Sequence, residues 1–394
     1  MLQELILKKA EDIKEELIHI RRDIHAHPEF ALEEIRTSEV IAEKLEAMGL
    51  EVQREIGVTG VIGTLRGTSP GKTILLRADM DCLKIEEETG LEFKSLNKGY
   101  MHACGHDAHM TWLLGAAMIL SDLKEHIKGN VKFLFQPAEE VVGGAERMIK
   151  AGALENPKVD AAIGAHVWPS ISSGKIGIRY GEMMAAPDVF TIKIIGRGGH
   201  GAAPHTCVDP ISIACQVYMA LQTIVSRRVD AVDPVILTVG RFEAGNAFNI
   251  IPNEVIMEGT TRTLNKDLRE ALPGMMESII KGITESQGGN YDFEYRFCYP
   301  PVINDNSMAD LVKEAGGLIL GEENIEIMKK PEMIGEDFSY FQNEVPGVFI
   351  AIGTLNEEKG INKPLHNACF TIDEDILHKA SAVFAMSAIK FLNE

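Results

Sequence analysis

Between residues 61 and 165 the chain alternates strand-like and helix-like segments, and that alternation restricts its fold more than any other feature. Val61–Leu65 and Thr73–Ala78 read as strands joined by the turn Gly67-Thr68-Ser69-Pro70-Gly71. Asp107–Leu123 then reads as a helix, Val131–Gln136 as a strand, Gly144–Ala151 as a helix and Ala161–Ala165 as a strand. Such a β-α-β rhythm predicts an α/β fold with a mainly parallel central sheet covered by helices. Upstream, residues 3–48 read as two amphipathic helices broken at His27-Pro28, because proline disfavours helix in the residue before it.

Near residue 186 the texture changes. Val189–Ile195 alternates like a half-exposed strand, Asp209–Arg227 is helical, and Val235–Val239 and Glu254–Arg262 are strands. Lys266–Glu285 is helical and Asn290–Phe297 is a further strand. A β-α-β-β-α-β order over roughly a hundred residues is that of a ferredoxin-like α+β sandwich. After Tyr299-Pro300-Pro301 the α/β texture resumes, with a strand at Gly347–Ile352 and a helix at Glu374–Leu392. The expected organisation is a discontinuous domain over 1–185 and 298–394, with a smaller domain over 186–297 inserted into it. A length of 394 residues agrees with two domains.

The formal charge of −19 argues against nucleic acid or an anionic membrane as a partner and leaves a small molecule. Met1–Leu17 lacks the apolar core of a signal peptide, and the longest apolar stretch, Thr111–Leu120, is too short to span a bilayer. Six cysteines, at 82, 104, 207, 215, 298 and 369, show no framework spacing. Reduced thiols and a cytoplasmic location are expected, with a metal or catalytic role open to any one of them.

Two stretches carry the chemistry: His102-Ala103-Cys104-Gly105-His106-Asp107 and Gln136-Pro137-Ala138-Glu139-Glu140. In an extended loop Cys104 and His106 project to one side, whereas Glu139 and Glu140 project to opposite sides. One glutamate can then hold a metal while the other faces the water to be activated. Asp79 and Asp81 follow the strand Ile74–Ala78 at its carboxyl end, where ligands bind in such sheets. An isolated aspartate there would read as a cap or a solvated loop. With a metal-type cluster downstream, Asp81 is the first candidate for orienting a catalytic group, and Asp79 the second.

Cys104, His106, Glu140, His166 and His366 are the candidate ligands. Taken singly each would read as structural, since a buried cysteine usually packs as a small hydrophobe. Together they exceed the usual three ligands of a mononuclear catalytic zinc site. Two divalent ions sharing a bridging group are therefore expected. Zinc, manganese, cobalt and nickel all tolerate this mixed sulfur, nitrogen and oxygen set. Glu139 is the candidate general base, taking a proton from water and returning it to a departing amine. The glycine-rich run Gly196–His205 has no Gly-Lys-Ser/Thr and is a poor phosphate cradle. His200 within it is a candidate oxyanion donor and His205 the second choice. His25, His27, His102 and His109 read as structural or supporting, and Asp107 as the N-cap of its helix first and an orienter of a ligand histidine second.

At this point the motifs resemble a known family. They are Arg-Arg-Asp-Ile-His-Ala-His-Pro-Glu (21–29), Leu-Arg-Ala-Asp-Met-Asp (76–81), His-Ala-Cys-Gly-His-Asp (102–107) and Gln-Pro-Ala-Glu-Glu (136–140). Gly-Ala-His-Val-Trp-Pro (164–169), Gly-Arg-Gly-Gly-His-Gly-Ala-Ala-Pro-His (196–205), Asn-Ile-Ile-Pro-Asn (249–253), Gly-Glu-Asp-Phe-Ser (335–339) and Leu-His-Asn (365–367) complete the set. In this order the whole chain is similar to the dinuclear metallopeptidases that include aminoacylases, carboxypeptidase G and succinyl-diaminopimelate desuccinylases. The narrower resemblance is to the branch of hippurate hydrolases, N-acyl-amino-acid amidohydrolases, N-acetyl-diaminopimelate deacetylases and plant auxin-conjugate hydrolases.

The resemblance implies a zinc-peptidase-like catalytic domain with an inserted ferredoxin-like lid that dimerises. Cys104, His106, Glu140, His166 and His366 match the branch's metal ligands, Glu139 its base and Asp81 its orienting aspartate. Asp79 falls where other branches carry a metal-binding histidine, which implies that Cys104 and His106 replace that ligand. His200 matches a lid histidine that reaches across the dimer in relatives. Asn249, Arg262 and the backbone at Gly353-Thr354, with His205, are the implied substrate contacts. Asp81-Cys82-Leu83-Lys84, where the branch usually has Asp-Ala-Leu-Pro, and Thr206-Cys207-Val208 depart from the pattern. The implied activity is metal-dependent hydrolysis of N-acyl-L-amino acids to a carboxylic acid and a free amino acid, in a homodimer. A dipeptidase or carboxypeptidase with the same site, or a non-catalytic ligand-binding protein, are the alternatives.

Overall fold

The computed structural model describes residues 2–141 and 143–393. The chain divides into two compact units. One runs to Gly181 and resumes over Ile303–Lys330 and from Asp337 onwards; the other comprises Glu182–Val302 and Pro331–Glu336.

The first unit opens with helices Leu2–Asp12, Lys14–Ala26 and Ile35–Ala47. The first two replace one expected helix, the break falling at Ile13 as well as at Pro28. Strands β1 (Glu51–Ile56), β2 (Gly60–Arg66), β3 (Ser69–Asp79), β4 (Lys128–Gln136), β5 (Ala161–Ser172) and β6 (Ile176–Ile178) follow, then the short β7 (Gly181–Met184). The second unit holds β8 (Ala186–Ile195), β9 (Gly199–His200), β10 (Val235–Ala244), β11 (Ile250–Ile251), β12 (Glu254–Thr263) and β13 (Asn290–Arg296). After β14 (Val302–Asn304), the strands β15 (Ile325–Ile327) and β16 (Gly347–Leu355) return to the first sheet.

That sheet has eight strands in the order β1-β2-β4-β3-β5-β16-β6-β15. Its middle, β4-β3-β5-β16, is parallel throughout. Every residue of β3 from Thr73 to Asp79 is buried, as a strand covered on both faces requires. Helices His106–Asp122 and Leu377–Asn393 supply much of the cover. The unexpected β1 is a polar edge strand, with Glu51, Gln53, Arg54 and Glu55 exposed, so its sequence carries no hydrophobic period. β5 runs seven residues past its expected end, which puts His166 inside a strand rather than after one.

In the second unit the sheet order β10-β12-β8-β13 is antiparallel throughout, and with helices Pro210–Thr223 and Lys266–Ser286 it forms the ferredoxin-like sandwich. β8 buries alternate residues, Phe190, Ile192 and Ile194 among them. Leu272, Met276 and Ile280, four apart on the second helix, close the same core. Asp209 and Asn265 cap the two helices, accepting the N–H groups of Ile211 (3.0 Å) and Leu268 (3.1 Å). No helix among the described residues is long and apolar enough to cross a membrane.

Candidate metal centre

The parallel strands β3, β4 and β5 deliver their carboxyl ends to one place. Asp79 ends β3 and Asp81 follows it; Glu139 and Glu140 follow β4; His166 lies in β5. Cys104 and His106 enter at the start of helix His106–Asp122, through Gly105 at φ +82. A Cβ on Gly105 would lie 2.6 Å from Val167 Cγ2, so the turn needs glycine for conformation and for space. Cys104 and His106 thus converge through a left-handed turn and not through the extended loop expected. His366, also at positive φ, is anchored by its N–H to Ala103 O at 2.8 Å.

Cys104 Sγ lies 3.3 Å from His166 Nε2 and 3.3 Å from His366 Nε2. Two sets of potential ligand atoms, Cys104–His106–His166 and Cys104–Glu140–His366, each fall within 4.8 Å of one another. Cys104 is common to both. The five expected ligands therefore meet at one place, with Cys104, His106 and His166 buried, Glu140 partly buried and His366 exposed at its rim. Glu139 and Glu140 do not diverge as an extended strand would make them. They sit in a turn after Ala138 (φ +55), and both reach the same His106, all three ligand atoms lying within 4.8 Å.

Asp81 organises that turn. Its two oxygens accept the N–H groups of Glu139 (3.1 Å) and Glu140 (3.0 Å), and Oδ1 lies 3.3 Å from His106 Nδ1. The His166 Nδ1–H donates to Val167 O at 2.7 Å, which turns Nε2 towards Cys104. Asp79 accepts the Nδ1–H of His109 at 2.6 Å and the guanidinium of Arg77 at 2.8 Å. Arg77 continues to Gln136 (2.9 Å) and Asp337 (2.9 Å), all four groups being fully buried. The Asp337 N–H in turn donates to Glu139 Oε1 at 3.4 Å.

Charge follows from this packing. Burial alone would lower the His106 imidazole, but Asp79, Asp81 and Glu140 outweigh it and push it up to about 10. Burial holds His166 down to about 3, so its ring is a neutral donor. Burial, with Glu140 beside it, lifts the Cys104 thiol well above its ordinary value. His106 and Glu140 lie at ion-pair distance without hydrogen-bond geometry, and His106 Nε2 and Glu140 Oε1 are buried atoms with no hydrogen-bond partner among the described residues. A buried carboxylate oxygen of this kind, set beside sulfur and imidazole nitrogen, suits a cation, which would displace the proton that the surrounding carboxylates hold on His106.

The other candidates fall elsewhere. His200 (β9), His205 and Asn249 are exposed in the second unit. His200 and Asn249 are neighbours there: β9 pairs with β11, and the Gly201 N–H donates to Asn249 O at 2.8 Å. Arg262, in β12, is half-buried and donates to Thr261 O at 3.1 Å. At Gly353-Thr354 the Gly353 N–H donates to Lys175 O at 2.9 Å, and Thr354 is buried.

Asp107 is not a cap. It is the second residue of its helix, and its Oδ2 accepts Arg21 Nε–H (2.9 Å) and His25 Nδ1–H (2.8 Å) behind the centre. Residue Cys82 is buried, its N–H donating to Glu29 O at 3.0 Å. The residue that sequence reading missed altogether is Glu34, a fully buried carboxyl that accepts the Ala138 N–H at 3.0 Å. Its place in the acidic run Glu33-Glu34, ahead of an amphipathic helix, reads as a solvated helix start and gives no signal.

The chain is similar over most of its length to several known proteins. The sequence pattern of peptidase family M20/M25/M40 matches residues 75–390. The chain is 49% identical over 306 residues to the N-acyl-L-amino acid amidohydrolase of Geobacillus stearothermophilus, covering 77% of this chain and 82% of that protein. It is 40% identical over 397 residues to thermostable carboxypeptidase 1 of Saccharolobus solfataricus, covering all of both. Among solved structures, a dinuclear metal binding peptidase of the M20 family from Bacillus subtilis superposes with a TM-score of 0.85 at 35% identity, covering 97% of this chain and 99% of that one.

Proposed function

The chain belongs to peptidase family M20/M25/M40, and from that premise we propose that it hydrolyses the amide bond of N-acyl-L-amino acids, releasing a carboxylic acid and a free amino acid. The observation that carries the reading is the buried Cys104 sulfur shared by two ligand sets, with the Glu139 carboxylate beside His106 of one and Glu140 of the other. Cys104, His106 and His166 would hold one divalent ion, and Cys104, Glu140 and His366 the other. When bound, the ions supply Lewis-acid polarisation of the amide carbonyl and a lower pKa for the attacking water. Zinc, manganese, cobalt and nickel are the candidates.

The chain's own groups do the rest. Glu139 takes the proton of the attacking water and returns it to the departing amine nitrogen, so one carboxyl serves as base and then as acid. Asp81 holds the turn that carries both glutamates and faces His106 Nδ1, which leaves Nε2 for the metal. His200 accepts the Ala202 N–H on Nδ1 (3.0 Å), so its ring proton sits on Nε2, where it can donate to a developing oxyanion. Asn249, Arg262 and His205 are proposed contacts for the amino-acid part. Phe242, Phe248 and Ile250, exposed on the second unit, support pairing of two copies through it. Six free cysteines support a reducing, cytoplasmic compartment.

The test is turnover. Protein reconstituted with each metal in turn should release free amino acid from a panel of N-acyl-L-amino acids, and silence across that panel sinks the reading. The full-length similarity to a carboxypeptidase favours a second reading, a peptidase with the same centre. Cleavage of free-amine dipeptides alone would establish it instead.

A further inference from the structure

Three consecutive amides follow Pro137, and two carboxyl groups hold all three. Asp81 takes those of Glu139 and Glu140, and Glu34 Oε1 takes that of Ala138 at 3.0 Å. The other Glu34 oxygen accepts the Thr59 hydroxyl at 2.7 Å. Glu34 stands at the N-cap position of helix Ile35–Ala47, yet its side chain caps nothing there. Glu29 does so, accepting the N–H groups of Arg36 (3.1 Å) and Thr37 (2.7 Å). Glu34 is thereby free to turn inward, and a carboxyl buried this far from water is tolerated only when hydrogen-bonded.

What it bonds is strained. Ala138 lies at φ +55, a conformation that residues with a β-carbon rarely adopt. Its carbonyl is fixed as well, accepting the Gly144 N–H at 3.1 Å. A Cβ on Gly144 would lie 1.7 Å from Pro137 O, so the chain must pass here without a side chain. Were Ala138 to relax to negative φ, the peptide leading into Glu139 would rotate and the carboxylate would swing away.

We propose that Glu34 is a positioning residue for the general base: its hydrogen bond to the Ala138 N–H holds Ala138 left-handed and so aims the Glu139 carboxylate. This rests on the reading of Glu139 as base. Glu34 acts by geometry and not by charge. A glutamine at this position reproduces both bonds, its carbonyl accepting from Ala138 and its amide donating to the Thr59 oxygen. Alanine reproduces neither.

The experiment uses the full-length, metal-loaded enzyme and the best substrate of the N-acyl-amino-acid panel. Glu34→Ala should lower kcat about 10²-fold, the scale of a misplaced catalytic group, with KM little changed and metal content intact. Glu34→Gln should keep most of kcat. Ala138→Gly in the Glu34→Ala background should recover about tenfold, because glycine adopts positive φ unaided. Failure of glutamine to rescue, no recovery by glycine, or loss of metal in Glu34→Ala overturns the proposal. Should Glu34→Ala not fold, Thr59→Val decides: a fall in kcat at constant KM supports it, and no change in either overturns it. Wild-type protein silent on every N-acyl substrate defeats the amidohydrolase reading itself, whereas an active wild type with an unimpaired Glu34→Ala defeats only this one.

Discussion

The candidate residues of the two units are built to opposite specifications. In the first, Cys104, His106, Glu139 and His166 are at most 7% exposed, and the last three are held by partners that are held in turn, Asp81, Asp337 and Val167, while His366 alone of the expected ligands is exposed. In the second, His200, His205 and Asn249 are exposed; His200 Nδ1 accepts the Ala202 N–H and the Asn249 carbonyl accepts the Gly201 N–H. A buried, cross-braced set keeps its geometry before anything binds, and pays for that in desolvated charge. An exposed set on short strands and turns costs little to build and can adapt to what it meets. Removing a group from the first should therefore disturb stability or chemistry severely, and removing one from the second should disturb chemistry alone.

The largest expected effect is on Glu139→Ala. Its kcat should fall about 10²–10⁴-fold while both metals stay bound, as kinetics with metal analysis would show. A variant that loses an ion would move Glu139 into the ligand set and blur the distinction between base and brace. Next, Arg77→Leu leaves Asp79 and Asp337 buried without their shared guanidinium. Loss of a buried partner of this kind costs about 3–5 kcal/mol, readable by urea unfolding. A change under about 1 kcal/mol, the scale of a surface pair, would show the bracing to be superficial.

On the other side of the comparison, His200→Ala should lower kcat by about 10²–10³-fold, the scale of one lost oxyanion donor. Its unfolding free energy should stay within about 0.5 kcal/mol of wild type. Equal losses of stability and rate would break the contrast between the units.

The smallest effect concerns pH. Burial raises the Glu34 carboxyl from 4.5 to about 7. Its unfolded form therefore releases its proton first, and the metal-free folded protein loses stability as pH rises from about 4.5 to about 7, levelling off above. Glu34→Gln removes that dependence. Its advantage over wild type should grow across this window by at most ~3 kcal/mol, measured as unfolding free energies at either end.

Legibility followed the range of the interactions. The helices with a clear apolar period and the strands β3, β4 and β16, with their apolar runs Ile74–Leu76, Phe133–Phe135 and Val348–Ile352, were readable, because burial dictates those runs. The edge strand β1 was not, since its exposed Glu and Arg side chains have no face to hide. Cys104, His106, Glu140, His166 and His366 could be singled out as candidates because their chemistry is rare in combination, and the fold brings them together in two groups. Asp107 was misread: a local rule, helix capping, stood in for distant partners, Arg21 and His25, that sequence order conceals.

Sequence alone thus determined the kind of chemistry and the alternation of layers, both fixed by which residue types occur and at what spacing. Tertiary structure decided how those groups are aimed. The left-handed turns at Gly105 and Ala138 converge side chains that extended backbone would separate or leave unspecified. The supports of those turns, Val167 against Gly105 and Glu34 against Ala138, lie 62 and 104 residues away in the chain. A contact between residues so far apart is set by packing of the whole sheet, and no local pattern in the chain records it.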